Sequence, residues 1–194
     1  MPTQVERRET TRAALLVAAR ELFTEKGFAA TGREEIAERA GVTRGALYHH
    51  FESKQAAFEA VATELDRELA VAVVQAARKA KTAYEQIRQS CRAYLEACTD
   101  PSVVRILLTE AAAVLGPQWV RRSNEAACIE LLTPALDLVE REGHTVPGDT
   151  HFAAQLLLGV LNEAAAIVAA SPKPRAAVKQ VAPTVDAFVA KLLA

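Results

Sequence analysis

Between Thr31 and Lys54 the chain reads TGREEIAERAGVTRGALYHHFESK, a stretch that leaves few folds open. It spells two short helices joined by a tight turn, followed at once by the start of a third. Thr31 and Glu34 stand at capping-box spacing, where each side chain can accept the backbone N–H of the other. Ile36, Ala37 and Ala40 give the first helix one apolar face. Gly41 stands where the chain must leave it, a position that favours left-handed φ and no Cβ. Val42 plugs the turn, and Thr43 is a good N-cap for the next helix. That second helix, Arg44 to His50, needs only Leu47 and the following Phe51 as core anchors. Its remaining residues, Arg44, Gly45, Ala46, Tyr48, His49 and His50, form a face that a core does not require. A small residue at Ala37, a glycine four later and an apolar Leu47 make the helix-turn-helix pattern. Small residues let the two helices cross closely, and the second is presented to a major groove.

Gly41-Val42-Thr43, the exposed residues after them, Leu47-Tyr48, His50, an aromatic Phe51 and Ser53-Lys54 resemble the DNA-binding domain of TetR-family transcriptional regulators. The resemblance covers roughly Arg12 to Phe58. It implies a homodimer on a palindromic double-stranded DNA operator and a C-terminal domain that binds a small-molecule effector and dimerises. By the same resemblance Tyr48, His50 and Lys54 take phosphate-contacting positions, and Thr43 adds its hydroxyl. Groove chemistry makes Arg44 the leading base reader, because guanidinium pairs in bidentate fashion with guanine O6 and N7. Gly45 and Ala46 allow close approach, His49 points outward, and Arg33 is a further phosphate candidate. Ser53 should cap the fourth helix, which puts Lys54 in its first turn, where helix amides and lysine together suit a phosphate oxygen. His49, His50 and Glu52 invite a metal reading, but adjacent helical residues diverge by about a hundred degrees and cannot chelate one ion as residues four apart do. No metal site is expected.

Half the residues are hydrophobic, yet aromatics are few, alanine and leucine abound, and no β-branched run alternates. That mixture gives an all-α chain of about nine helices. Residues 1–54 hold nine Lys/Arg against eight Asp/Glu, and residues 55–194 hold fourteen against sixteen, matching the net charge of −1. DNA affinity must then come from charge placement, with acids such as Glu21, Glu25 and Glu38 turned away from the groove. Three cysteines, Cys91, Cys98 and Cys128, form no paired framework and read as small buried hydrophobes, a redox sensor being the alternative. The N-terminal residues are charged and have no apolar signal core. The most apolar window, Phe152 to Ala170, is broken by Gln155, Asn162 and Glu163, so a buried helix is expected rather than a membrane span. Cytoplasmic location follows.

The first helix is expected from about Val5 to Glu25, ended by Gly27, with Phe28 folding back onto its stripe. The fourth runs from Lys54 to about Lys81. Five more follow: Ala83 to Cys98, Pro101 to Leu115, Gln118 to Glu142 with Pro134 kinking it, Asp149 or Thr150 to Ala170, and a last helix to about Leu193 with a second kink at Pro183. The domains divide as 1–52, the DNA-binding head, and 53–194, for effector binding and dimerisation. The last two helices are too apolar to leave exposed; Phe152, Leu156, Gly159, Val160, Ile167, Val185, Phe188 and Leu192 are the expected dimer anchors. Tyr94, Glu110, Trp119, Asn124, Gln155, Asn162 and Glu163 are uncommon polar or aromatic residues in apolar sequence and are the candidates for an effector pocket. Asn162-Glu163 equally suits a polar pair that sets dimer register. No Ser/His/Asp grouping, glycine-rich phosphate loop or paired-carboxylate motif is recognisable, so neither an enzyme nor a cofactor is implied. The reading is a repressor released by a small molecule. Two others stay open: a ligand-independent DNA-binding dimer, and a helical interaction module without DNA binding.

Overall fold

The computed structural model describes residues 3–193, apart from the side chain of Cys128. Among the described residues the chain is all helix, with no strand. Helix α1 (Gln4–Ala30) opens on a reciprocal capping box between Thr3 and Glu6. Its buried stripe, Leu15, Leu16, Ala18, Ala19, Leu22 and Phe23, is the expected one. Gly27 takes φ 81° and breaks the helix, after which a short helical tail reaches Ala30. Phe28 turns back so that its ring centroid lies 6.0 Å from Phe23 and 5.3 Å from Phe58.

Helices α2 (Arg33–Arg39) and α3 (Arg44–His50) form the expected pair. Gly41, at φ 65°, lets its own N–H reach Glu38 O and the Val42 N–H reach Ala37 O, two carbonyls the end of α2 would leave open. Thr43 caps α3 by accepting the Ala46 N–H at 3.3 Å. The capping box expected of Thr31 and Glu34 does not form. Thr31 is buried, its hydroxyl donates to Gly27 O at 2.7 Å, and Gly32 starts α2 with no side-chain cap. The broken tail of α1 leaves carbonyls in need of donors, and a buried hydroxyl beside them has no better partner.

Ser53 caps α4 (Lys54–Ala77) through the Ala56 N–H, and this helix ends four residues short of the expected Lys81. Helix α5 (Ala83–Ala97) packs along it, and its first amide is met by the Glu142 carboxylate at 2.8 Å. Residues Val103–Glu110 are π-helical and run into α6 (Ala111–Leu115); α7 (Pro117–Ala127) passes through a second π-helical stretch, Cys128–Leu132, into α8 (Thr133–Arg141). Where Pro134 predicts a kink, the chain widens its turns just before it. The ring has no N–H to give and crowds the carbonyl four residues back, and a wider turn relieves both. Pro183, by contrast, sits inside an unbroken α10 (Pro174–Leu192).

Helices α9 (Thr150–Ala170) and α10 lie against each other, and α9 also packs on α5 and α8. By length and composition α9 is apolar enough to cross a membrane, but 44% of its most apolar window is buried inside the protein. Taken as continuous helical bodies, with each π stretch joined to its neighbours, the described residues contain nine. One apolar cluster extends through all of them, from Leu15 to Leu193.

Candidate nucleic-acid interface and effector cavity

Helix α3 is held by one buried side chain of its own, Leu47, leaving the rest of its surface free. Arg44, Gly45 and His49 are exposed, Ala46 is half-buried, and Tyr48 is 43% exposed. The Tyr48 hydroxyl donates to Glu34 Oε1 at 2.9 Å. The Arg33 guanidinium lies 4.2 Å from the centre of the Tyr48 ring, and its Nη1 donates to Glu52 O at 3.1 Å. Arg33 is thus a brace across the α2–α3 pair as well as a cation at its surface. His50 is half-buried, and its pKa is lowered by burial and by the nearby charges of His49, Arg8 and Arg12. Arg12 also lies over the Phe51 ring at 5.7 Å. The start of α1 therefore brings two arginines to the end of α3.

The acids of the head are largely drawn elsewhere. Glu21 and Glu25 both pair with Arg39, at 3.2 and 3.1 Å, and Glu35 pairs with Lys26. This arrangement answers the near-zero charge of residues 1–54: Glu21, Glu25 and Glu35 are matched on the α1–α2 side, while Glu34 meets Tyr48 and Arg8, Arg12, Arg44 and the histidines remain on the α3 side.

Lys54 is placed differently from its expected phosphate position. Its ammonium donates to Phe28 O at 2.7 Å, Thr31 O at 2.9 Å and Ala29 O at 3.3 Å, and sits 4.5 Å from the Phe28 ring centre. All three N–H groups are used to clamp the broken end of α1.

Glu110, expected in the effector pocket, is also at this junction. Its Oε2 accepts the Phe28 N–H at 2.8 Å, and Arg105 lies 3.5 Å from its Oε1. A Cβ on Gly27 would sit 2.4 Å from that same Oε1. Glycine is required there by both the close approach and the positive φ. Arg20 of α1 adds further ties, to Glu68 of α4 at 2.7 Å and to the Ser102 hydroxyl at 3.1 Å.

Helices α4, α5, α7, α8 and α9 and the Val103–Glu110 and Cys128–Leu132 stretches line a half-open cavity of about 770 Å³. Its wall is mostly aliphatic, with Leu69, Val73, Leu107, Leu108, Leu158 and Leu161 among the lining residues. Four of the seven expected pocket residues line it: Tyr94, Trp119, Asn124 and Asn162. The Tyr94 hydroxyl donates to Asn162 Oδ1 at 2.9 Å, and burial pushes its pKa well up.

Glu110, Gln155 and Glu163 do not line the cavity. Gln155 and Glu163 are exposed on the outer face of α9, while Asn162, a hundred degrees from Glu163, lines the cavity. Asp66 and Cys91 are among the lining residues that the sequence does not single out for the pocket. Asp66 projects from α4, and the Ser123 hydroxyl donates to its Oδ2 at 2.7 Å. Burial pushes the Asp66 carboxyl above its usual range, with the Ser123 hydrogen bond opposing. The available signal was a lone acid in the stripe of Ala62, Leu65, Leu69 and Val73. Cys91 also lines the cavity, and burial raises both its thiol and that of Cys98 to about 12, far from the thiolate range a redox sensor uses.

The outer face of α9 carries Phe152 (64% exposed), Leu156 (68%) and Ile167 (52%), with Gly159 between them, and Phe188 of α10 is 43% exposed. Val160 and Leu192 are half-buried. Val185 is not on this face: it is buried in the chain's own core, because α10 turns it inward while the Pro183 helix stays unbroken.

Comparison with known proteins assigns both halves. Residues 15–61 match the model described as bacterial regulatory proteins, tetR family, and residues 84–192 match the tetracyclin repressor-like C-terminal domain. The HTH-type transcriptional activator FasR of Mycolicibacterium smegmatis is 32% identical over 155 residues, 79% of this chain and 68% of that protein. The HTH-type transcriptional repressor BepR of Brucella suis is 48% identical over 59 residues, 30% of this chain and 28% of that one. A crystal structure of a TetR-family transcriptional regulator from Pectobacterium atrosepticum superimposes with a TM-score of 0.83 at 35% identity, covering 99% of this chain and 98% of that one.

Proposed function

Because the chain belongs to the TetR family of bacterial transcriptional regulators and is a DNA-binding regulator of that kind, we propose that it is a cytoplasmic repressor which grips a palindromic operator as a homodimer and is released by a small molecule in its cavity. The carrying observation is the free face of α3, with Arg44 and Gly45 in its first turn and Arg8, Arg12 and His50 gathered beside it. The first turn of a recognition helix meets base edges, and cations flanking it meet phosphate. In this reading Arg44 reads a base, Ala46 approaches it, and Thr43, Tyr48, His49, His50 and Arg33 hold the backbone. Lys54 acts through the fold, by fixing the junction from which α4 starts.

Residues 1–52 form the reading head and residues 53–194 the effector and dimer domain. The dimer closes through Phe152, Leu156, Gly159, Ile167 and Phe188, since three large apolar side chains more than half exposed on one helix face favour a covered surface. A two-fold axis there doubles the base contacts and sets their spacing. Repression needs only that the bound dimer occlude the promoter. Release is a linkage: a ligand that prefers the conformer with wrongly spaced heads weakens operator binding by its ratio of affinities, and coupling of roughly 1–3 kcal/mol corresponds to about 5- to 150-fold. The junction of Gly27, Phe28, Glu110 and Lys54, two residues from the lining Leu108, is where the head meets the body that holds the cavity.

Activation is the second reading, favoured by the relative that matches across both halves and carries the name activator. Selection of bound DNA from a random pool at about 0.15 M salt tests the first. An inverted repeat supports a dimeric reader; a single half-site or no motif overturns it. Arg44→Ala should then weaken that site about tenfold to a hundredfold with the melting temperature unchanged. A reporter carrying the selected site upstream of a weak promoter separates the two signs of regulation, since expression falls with a repressor and rises with an activator.

A further inference from the structure

The cavity's polar groups are not scattered. Asp66 and Ser123 meet from α4 and α7, Tyr94 and Asn162 meet from α5 and α9, and Trp119 and Asn124 stand in the same wall. Both pairs line the same cavity; burial first, then Cys98, and least of all the Asp66 charge raise the Tyr94 pKa. Among the described residues Asp66 makes no ion pair, and its one side-chain partner is a neutral hydroxyl. The other charged residues of the wall, Arg78 and Glu130, are exposed to solvent. Besides Ser123, the wall thus holds one half-buried carboxylate, neutral polar groups on Gln86, Ser90, Tyr94, Asn124 and Asn162, an indole and otherwise hydrocarbon. A carboxylate in such a place lacks the counter-charge that makes burial tolerable.

From this we infer that the effector is an amphiphile whose head is an organic cation, a protonated amine in the simplest case, seated on Asp66 with its apolar tail along Leu69, Val73, Leu107 and Leu108. The inference rests on the ligand-gated reading above and narrows it to a charge class. An ammonium supplies the missing counter-charge and donates to Asp66. The faces of Trp119 and Tyr94 add attraction for a cation that a neutral or anionic head does not receive. A carboxylate head would meet Asp66 as a like charge, with no basic side chain in the interior to offset it. The tail needs no specific partner, only the aliphatic wall.

Trp119 is the chain's sole tryptophan, so its emission reports on the cavity directly. The full chain is titrated with decylammonium, decanol and decanoate, each below its micelle concentration, and Trp119 fluorescence is followed. Decylammonium should bind saturably, at least about tenfold more tightly than decanoate and more tightly than decanol, in line with the cost of leaving a charge unpaired. Asp66→Asn should abolish the preference for ammonium while leaving decanol affinity within about twofold, and Ser123→Ala, which keeps the charge, should retain it. Thermal melts establish that both variants fold. Equal or tighter binding of decanoate, or an ammonium preference that survives Asp66→Asn, overturns the cation inference and leaves ligand gating standing. Failure of all three probes to bind overturns both. Decylammonium binding that leaves operator affinity unchanged supports the cation site and sinks its role as effector.

Discussion

The reading head and the cavity wall use helices in opposite ways. In the helix-turn-helix three boundaries are fixed locally: Gly41 closes α2, Thr43 opens α3 and Ser53 opens α4, each within a few residues of the group it satisfies. Around the cavity the helices depart from regular geometry twice, at Val103–Glu110 and Cys128–Leu132, and both stretches contribute lining residues, Leu107 and Leu108 from one, Leu131 and Leu132 from the other. A DNA reader must present side chains at fixed spacing to a rigid groove. A wall that surrounds a ligand gains from wider turns, whose hydrogen bonds can shift register at small cost. Rigidity is placed where the partner is rigid, and irregular geometry where a ligand must be surrounded.

The junction is where the comparison can be broken most severely. Gly27→Ala puts a methyl into the Glu110 carboxylate and forces an L side chain to φ 81°. A loss of about 3 kcal/mol of unfolding free energy is expected in denaturant titration, the sum of left-handed strain and a displaced ion. A loss below about 1 kcal/mol would mean that head and body are only loosely joined.

Lys54→Met keeps the stem but leaves three carbonyls without their donor. It should cost about 2 kcal/mol of stability while leaving the salt dependence of operator binding unchanged. A shallower salt slope with normal stability would instead restore a phosphate contact to this lysine.

Within the head, Thr43→Ala removes the α3 cap, and calorimetry should register a loss of about 1 kcal/mol. In the wall, Asp66→Asn should go the other way. The raised folded pKa of Asp66 means that its favourable form is the protonated one, so stability present below the ordinary carboxylate pKa is lost as pH rises through the folded pKa. Asparagine escapes that loss. The variant should therefore be more stable than the parent near pH 7, with the gain vanishing near about pH 4 and below. A gain that does not depend on pH would remove the electrostatic explanation.

What the sequence could disclose follows the same division. Caps and turns act over three or four residues, so Gly41, Thr43, Ser53 and the lone anchor Leu47 were legible. Lys54 and Glu110 were not, because each meets its partners across the fold: Glu110 and Phe28 are 82 positions apart. Thr31 shows the limit within a local rule, since correct capping-box spacing was overridden by carbonyls that only the Gly27 break exposes. In the body, α9 is so apolar that its inward and outward faces are hard to separate by composition. Helical angle alone would have sent Asn162 and Glu163 apart, and did so in the structure. On α10, Val185 and Phe188 are three residues apart and share a helix side, so spacing alone does not show that only Val185 is buried. Asp66 is hard to single out because one acid in a long amphipathic helix usually lies fully in water, and only the surrounding helices show that this one is half-buried in the cavity wall.

The contact between Glu110 and the Phe28 amide bears on whether such regulators can be rebuilt from interchangeable parts. A graft that took residues 1–52 onto a foreign body would leave the Phe28 N–H and the glycine beside it facing whatever the new body offered. Chimeras should work only when the donor of the body also supplies an acid at this height, or when the segment Val103–Glu110 travels with the head. The true unit of exchange is therefore discontinuous in the chain.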